Sequence, residues 1–260
     1  MRMKIMKPNE KTVKAVFVLF AALNAFGYDA ENNPRGMSKE RRLVRHALPR
    51  RSLRMRYATL ARHIQKEHPW HLIHKILLRR GLVGADLRKF AKEREVMEVW
   101  NSLKTSYAKQ GKMLAPVFRR EVVNLIKFLK WKPHTIKRVT LVLNPLDAYW
   151  RGYSFIVKNT GYVVVGPGTM NEITHLVRHE LLHSFAPRIF IPRRFTSLKV
   201  HRRKENGGYG DRAVIEREYV VRGLNLLYER GVLHKDIRSV LRREEKRFPH
   251  IRAVLTLLEK

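Results

Sequence analysis

The five residues from His179 to His183 carry a pattern with clear chemical meaning: a histidine, a glutamate, two leucines and a second histidine. Residues four apart share one face of a helix, so the imidazoles of His179 and His183 can bind the same metal ion. Glu180 would then lie beside that ion, where its carboxylate can accept a proton from a water molecule. Because this residue set is typical of zinc-dependent hydrolases that cleave peptide bonds, we expect a Zn²⁺ site with Glu180 as general base.

The surrounding residues predict a capped helix with two different faces. Thr169 and Glu172 have the spacing of a capping box, and Pro187 would end the helix. Apolar residues and histidines each recur every four positions, offset from one another by two: Ile173, Val177, Leu181 and Phe185, and His175, His179 and His183. One face can therefore pack in a core while the other presents imidazoles to a cleft. We interpret His175 as an ordinary polar neighbour of the site.

Three β-branched, apolar segments precede this helix and predict a small sheet. The predicted strands are Arg138–Leu143, Gly152–Val157 and Tyr162–Gly166. The second and third are separated by the tight turn Lys158–Gly161, which favours a hairpin. Zinc peptidases often hold an extended substrate by adding it to a strand edge. The sheet is therefore expected either to bind substrate in this way or simply to pack against the core.

A catalytic zinc site needs a third protein ligand, and the residues leave two candidates. No histidine follows His183 at the position that metzincins use, so we expect the ligand on a later helix. Asp211 is a suitable N-cap for a helix from Arg212 to Glu229. The apolar face of that helix would include Val214, Val220, Val221, Leu224 and Leu227. Glu216 and Glu218 lie on opposite flanks of it, so only one of them can bind the ion.

A hydrolytic site also needs a group that stabilises the oxyanion of the transition state. Tyr209 lies in a glycine-rich segment just before the predicted ligand helix, and Tyr153 and Tyr219 are further candidates. The residues alone do not favour one of these three tyrosines.

Five short motifs follow one another along the chain, within a resemblance that covers most of residues 13–231. They are Leu-Asn-Ala-Phe-Gly-Tyr-Asp at 23–29, Asn-Pro-Leu-Asp-Ala-Tyr at 144–149, Val-Gly-Pro at 165–167, the histidine-glutamate helix, and Glu218 with Val221 and Arg222. In these motifs the chain resembles the gluzincin-type, zincin-like metallopeptidases of bacteria and archaea. The resemblance implies an α+β zincin-like fold, helix-rich with a sheet of about three strands before the histidine helix. It also implies Glu218 as the third zinc ligand, supported by an ion pair to Arg222, with Glu216 as the alternative. Gly223 departs from the small helix-forming residue expected there.

The length of 260 residues is typical of one domain that buries a full core. Within a single domain over 1–260, residues 1–135 are expected to form a basic, helical half, because apolar residues recur at helical spacing among many lysines and arginines. Residues 136–260 would form the zincin-like catalytic half.

The net charge of +33, from 55 lysines and arginines against 22 aspartates and glutamates, is the second unusual property of the chain. Such a surface attracts polyanions. The alternative hypothesis is therefore a basic nucleic-acid-binding protein with a structural or vestigial metal site. A peptidase that acts on nucleic-acid-bound proteins is compatible with both hypotheses. The basic pairs are spread along the chain, which is also typical of thermophilic proteins.

The absence of cysteine excludes disulfides, thiol catalysis and cysteine-bound zinc. The apolar run Ala15–Phe26 is too short to span a bilayer, so no stable membrane span is expected. This run resembles either the apolar part of a secretion signal or the first helix of the folded chain. We expect the second and therefore an uncleaved, cytoplasmic protein. The oligomeric state is not indicated by the sequence.

Overall fold

A computed structural model describes residues 3–28, 36–48, 50–79, 81–82, 84–130, 136–185 and 212–259. The predicted α+β class is confirmed, because the described chain is rich in helices and has one small sheet. The strands are β1 (Lys4–Met6), β2 (Arg138–Leu143), β3 (Gly152–Val157) and β4 (Thr160–Val165). The helices are α1 (Glu10–Ala25), α2 (Lys39–Ala47), α3 (Arg50–Arg56), α4 (Ala58–Lys66), α5 (Pro69–Arg79), α6 (Ala85–Phe90), α7 (Arg94–Phe128), α8 (Met170–Phe185), α9 (Arg212–Gly231), α10 (Arg238–Arg247) and α11 (Ile251–Leu258).

The chain divides into two compact units. Unit 1 consists of Met1–Arg120 and Pro133–Val177, and unit 2 consists of Glu121–Lys132 and Arg178–Lys260. Both α7 and α8 therefore contribute residues to each unit. The single domain over 1–260, with halves at 1–135 and 136–260, stays a prediction.

The sheet of unit 1 has four strands in the described residues, in the order β1-β2-β4-β3. The predicted hairpin is confirmed, because β3 and β4 pair antiparallel with Val157 opposite Thr160. The additional strand is β1, which pairs parallel to β2 over only three residues. The strand that leads towards α8 is β4, and it lies between β2 and β3. An extended peptide therefore cannot add to β4, and the outer strand on that side of the described sheet is β3.

The core of unit 1 is built around α1, which is apolar on all sides. Ala15 to Phe26 are buried, and they pack in one cluster with residues of the sheet such as Val142 and Val164. A helix that is hydrophobic all round is buried on all sides, so this apolar run has a structural role in the fold. Among the described helices, none combines the length and the hydropathy needed to cross a bilayer.

Two of the short motifs, separated by about 120 positions, are joined by buried and partly buried hydrogen bonds in unit 1. The Asn24 amide donates to the Leu146 carbonyl at 2.9 Å, and the Tyr28 hydroxyl donates to Asp147 at 2.8 Å. The fully buried Arg41 donates to the Asn24 side-chain oxygen at 2.5 Å. Because a buried polar group is costly unless it is paired, these bonds hold the loop after β2 in one conformation.

Gly166 follows β4 at a point where the backbone leaves no room for a side chain. A Cβ there would lie 2.6 Å from the Ala148 carbonyl oxygen and 3.1 Å from that of Arg151. We expect Gly166→Ala to lower the free energy of unfolding by about 1–3 kcal/mol, because backbone atoms must move to admit the methyl group. Urea denaturation measures this change.

A matched control is Gly111→Ala in α7, where a Cβ would meet no atom within 4 Å. This substitution is expected to stabilise the chain by up to about 1 kcal/mol, because alanine has the higher helix propensity. Equal effects of the two substitutions would contradict the steric explanation for Gly166.

In unit 2, α9 packs closely on α11 at Gly223. A Cβ there would lie 2.8 Å from Leu258 and 3.2 Å from Val254. Glycine therefore replaces the expected small helix former because it lets the two helices approach. The predicted apolar face of α9 is right for Val220, Val221 and Leu224, which are buried. It is wrong for Val214, which is 41 % exposed.

Candidate metal centre

Helix α8 begins with the predicted capping box. The Thr169 backbone N–H donates to the Glu172 carboxylate at 2.8 Å, and the Glu172 N–H donates to the Thr169 hydroxyl at 3.4 Å. These bonds satisfy donors that a helix start leaves without an intrahelical partner. The predicted end at Pro187 lies outside the described residues.

The two faces of α8 differ as expected. Val177, Leu181 and Phe185 are buried, whereas the side chains of His179 and His183 keep 13 % and 14 % of their surface exposed. His175, one turn earlier, is exposed. The two histidines are thus partly accessible to an ion, although the apolar face of the same helix is packed.

Helix α9 brings one of the two candidate glutamates to these histidines. Glu218 is buried, and its Oε1 lies 2.8 Å from His183 Nε2, while its Oε2 lies 3.6 Å from His179 Nε2. Glu216 is half-buried and does not belong to the cluster found among the described residues. Asp211, the predicted N-cap of α9, lies outside the described residues.

His179, His183 and Glu218 form a group that could hold a metal ion, with one ligand atom from each within 4.8 Å of the others. The Nε2 atoms of the two histidines are 3.1 Å apart. Two ligand atoms bound tetrahedrally to one zinc at about 2.0–2.1 Å would lie about 3.3 Å apart. The 3.1 Å separation of the two Nε2 atoms is close to this value, and the two Glu218 oxygens lie 2.8 Å from His183 and 3.6 Å from His179, so the three residues fit an ion of this kind.

The carboxylate at the centre of the cluster controls the protonation of its neighbours. Burial lowers the pKa of His179 to about 4, against the opposing influence of Glu218. Burial would also lower the pKa of His183, but its hydrogen bond to Glu218 raises it above 6.5. Burial alone would raise the pKa of Glu218, yet the two histidines bring it well below its usual range. The site therefore favours an ionised glutamate beside a neutral His179.

This electrostatic arrangement predicts a proton-linked metal affinity. The raised pKa of His183 means that the metal-free site retains a proton in weakly acidic solution, and a metal must displace it. We expect zinc binding to release this proton and to weaken as the pH falls through that pKa. Calorimetry in two buffers of different ionisation enthalpy measures the release. Glu218→Gln should move the release to lower pH, and a release profile that this substitution leaves unchanged would contradict the assignment.

Arg222 contacts the carboxylate of Glu218, and Glu244 in turn contacts Arg222. Arg222 Nε donates to Glu218 Oε2 at 3.1 Å, and its Nη1 donates to Glu244 at 2.8 Å. The guanidinium also lies 4.3 Å above the ring centre of Phe248. The ion pair implied by the sequence resemblance is thus present, and Glu244 of α10 extends it. These contacts fix the orientation of Glu218, as the outer partners of metal ligands commonly do.

A second buried cluster of charged side chains is centred on Arg178, the residue before His179. Arg178 Nε donates to Glu121 of α7 at 2.8 Å, and its Nη1 donates to Glu229 of α9 at 3.0 Å. All three side chains are at most 7 % exposed. This cluster ties α8 to α9, the two helices that carry the side chains that could hold a metal ion. The sequence gives a single indication of this cluster, which is the presence of charged residues within the three helices.

Glu180, the residue after His179, is buried. Its charge contributes to the raised pKa of His183. Of the tyrosine candidates, Tyr219 is buried with its ring 5.2 Å from that of Phe248, and its hydroxyl accepts from the His250 N–H at 3.5 Å. Tyr153 belongs to unit 1, where burial and the neighbouring charge of Asp147 raise the pKa of its hydroxyl. Tyr209 lies outside the described residues.

Comparison with known proteins adds no assignment to this geometry: no protein-family model, no curated protein and no solved structure matches the chain.

Proposed function

We propose that the protein is a zinc-dependent metallopeptidase with a zincin-like arrangement of its helices. The observation that carries the proposal is the convergence of His179, His183 and the Glu218 carboxylate within 4.8 Å. Two histidines from one helix and a glutamate from a later helix form a set of three protein ligands, which leaves one position for water or substrate. The hairpin of β3 and β4, followed by the capped helix α8, agrees with the same arrangement.

The residues of the site have distinct roles in this proposal. His179, His183 and Glu218 would hold the ion, and zinc bound there supplies a Lewis acid that polarises a peptide carbonyl and acidifies water. Glu180 accepts the proton of the attacking water and passes it to the leaving amine nitrogen. Arg222 keeps the Glu218 carboxylate oriented through its 3.1 Å hydrogen bond. Peptides and proteins are the proposed substrates.

The two candidate glutamates on α9 allow a matched test. We expect Glu218→Gln to weaken zinc binding by more than about 100-fold, because removal of a ligand should cost more than the 10–100-fold typical of its outer partners. Glu216→Gln removes the same charge from the same helix and should retain zinc. Zinc per chain after dialysis, together with hydrolysis of an unfolded protein, measures both. Zinc loss in the Glu216 variant alone would overturn the ligand assignment.

A second candidate function, nucleic-acid binding, is favoured by the net charge of +33. Helix α10 alone exposes Arg242, Arg243, Lys246 and Arg247. Binding through phosphates should decrease steeply with salt concentration. DNA or RNA retention that persists in a His179→Ala, Glu180→Gln double variant, without any peptidase activity in the parent protein, would favour this function over the first.

We also propose that the chain acts in the cytoplasm. Cleavage after Phe26 would remove α1, whose residues from Ala15 onwards are buried in the core of unit 1. Cell fractionation that finds the intact chain outside the cytoplasm would contradict this proposal.

A further inference from the structure

A cavity of about 470 Å³ lies in unit 1. Its volume is within the range of about 300–1,000 Å³ that is usual for small-molecule sites. It is bordered by the residues that follow β2 and β4, by the start of α8, and by side chains of α7. Parallel strands such as β2 and β4 commonly bind ligands beyond their carboxyl ends.

Two of the short sequence motifs that the metal centre does not use border this cavity. Asn144, Pro145 and Tyr149 come from the motif after β2, and Gly166 and Pro167 come from the motif after β4. The hydrogen bond from the Asn144 N–H to the Val165 carbonyl, 2.8 Å long, joins the two loops. The hydrogen-bonded loops after β2 and β4 therefore form one side of the cavity.

Two polar side chains that border the cavity keep unused capacity to accept hydrogen bonds. Asn144 is 1 % exposed, and its side-chain oxygen has no hydrogen-bond partner among the described residues. Within the described part of the chain, Glu40 at the start of α2 accepts only a long bond of 3.4 Å from Gln110, and a carboxylate can accept several. The unused acceptor sites of the Glu40 carboxylate favour a ligand that supplies a hydrogen-bond donor.

The charge of the cavity contrasts with that of the chain. The sequence has 55 lysines and arginines, yet none of the described residues that line the cavity is a lysine or an arginine. Glu40 is the charged residue among them, and the remaining walls include the apolar side chains of Met113, Leu143 and Ile173. Such a lining disfavours phosphates and carboxylates and suits a cation with an apolar body.

We propose that this cavity binds an alkylammonium group carried on an apolar body, with the Glu40 carboxylate pairing the charge. The ligand is either a free aliphatic amine or the amino terminus of a peptide, because both present the same group. This site does not depend on the metal centre.

The test is calorimetric titration of the full-length Glu180→Gln variant, in which peptides should not be consumed, with n-hexylammonium, n-hexanol and n-hexanoate. We expect saturable binding of hexylammonium and weaker binding of the other two compounds. A leucine tripeptide amide with a free or an acetylated amino end then separates the sources. Tighter binding of the free form than of hexylammonium indicates a peptide terminus, whereas binding of hexylammonium alone indicates a free amine.

Two variants locate the binding. Glu40→Gln should weaken hexylammonium binding about tenfold and leave hexanol binding unchanged, because only the charged pair is lost. Met113 is 56 % exposed, so Met113→Trp should fill part of the cavity, weaken both ligands and leave the fold intact. Val123→Trp, at a 41 % exposed position of the same helix, is the control. The proposal is overturned if hexylammonium does not bind, if hexanoate binds as tightly, or if neither variant changes its affinity.

Discussion

Glu180→Gln is expected to reduce peptide hydrolysis by about 10²–10⁴-fold while the protein retains its zinc. Glutamine has the shape of glutamate but cannot accept and return a proton, and loss of a general acid–base group typically has an effect of this size. Glu180 lies outside the three-residue cluster of described residues that could hold the ion, so the metal should remain bound. Turnover of an internally quenched peptide library, with zinc content measured on the same samples, checks both expectations.

Glu172→Gln provides a control on the same helix. Glu172 closes the capping box at the start of α8, and glutamine can occupy the same place in that motif. This variant should therefore keep its activity. A Glu180→Gln protein that still hydrolyses peptides at the parental rate would show that Glu180 is not the base. Loss of zinc from that variant would instead indicate that the residue supports the metal site.

Arg178→Met is expected to lower the free energy of unfolding by about 3–5 kcal/mol, which is the cost of leaving buried charges without their partner. Glu121 and Glu229 would both lose the guanidinium that lies 2.8 and 3.0 Å from them. The guanidinium also lies 4.7 Å from the ring centre of Tyr228, so the substitution removes a cation–π contact as well. Urea denaturation measures the change.

The exposed pair of Arg94 and Glu98 provides a matched control for this prediction. Their side chains are 88 % and 60 % exposed and lie one helical turn apart. The distance between Arg94 Nε and Glu98 Oε1 is 2.7 Å. Arg94→Met should leave the unfolding midpoint nearly unchanged, because exposed ion pairs contribute little. The triple variant with Arg178→Met, Glu121→Gln and Glu229→Gln should recover part of the lost stability. If Arg178→Met alone is neutral, the buried cluster is not what holds α8 and α9 together.

Local patterns in the sequence were sufficient to predict the capped helix α8 and the hairpin that precedes it. The capping box of Thr169 and Glu172 depends on residues three apart, and the hairpin of β3 and β4 depends on a short turn. Both are set by nearby residues, which explains why the sequence predicts them well. Strand β1 has only three residues and pairs with a segment more than 130 positions away, so no local pattern could reveal it.

The choice between the two glutamates on α9 depends on tertiary structure. Helical periodicity places Glu216 and Glu218 on opposite flanks but does not say which flank faces α8. The structure brings Glu218 to 2.8 Å from His183 and leaves Glu216 half-buried outside the cluster. The resemblance to zincin-like proteins implied the same residue, and its role as a ligand stays a prediction.

Pairing between distant polar residues was also beyond reach of the sequence. Arg178 looks like a solvated charge in the sequence, yet it is 4 % exposed and bound to two glutamates. Similarly, the order of the short motifs gave no indication that Tyr28 donates to Asp147. Buried polar contacts of this kind need three-dimensional proximity, for which periodicity carries no signal.

The position of zinc in crystals of the zinc-loaded protein, located by anomalous difference density at the zinc absorption edge, tests the proposed metal centre most directly. We predict one strong peak about 2.0–2.2 Å from the Nε2 atoms of His179 and His183 and from a carboxylate oxygen of Glu218. Zinc bound elsewhere on the chain, with no density between these three side chains, would contradict the proposal.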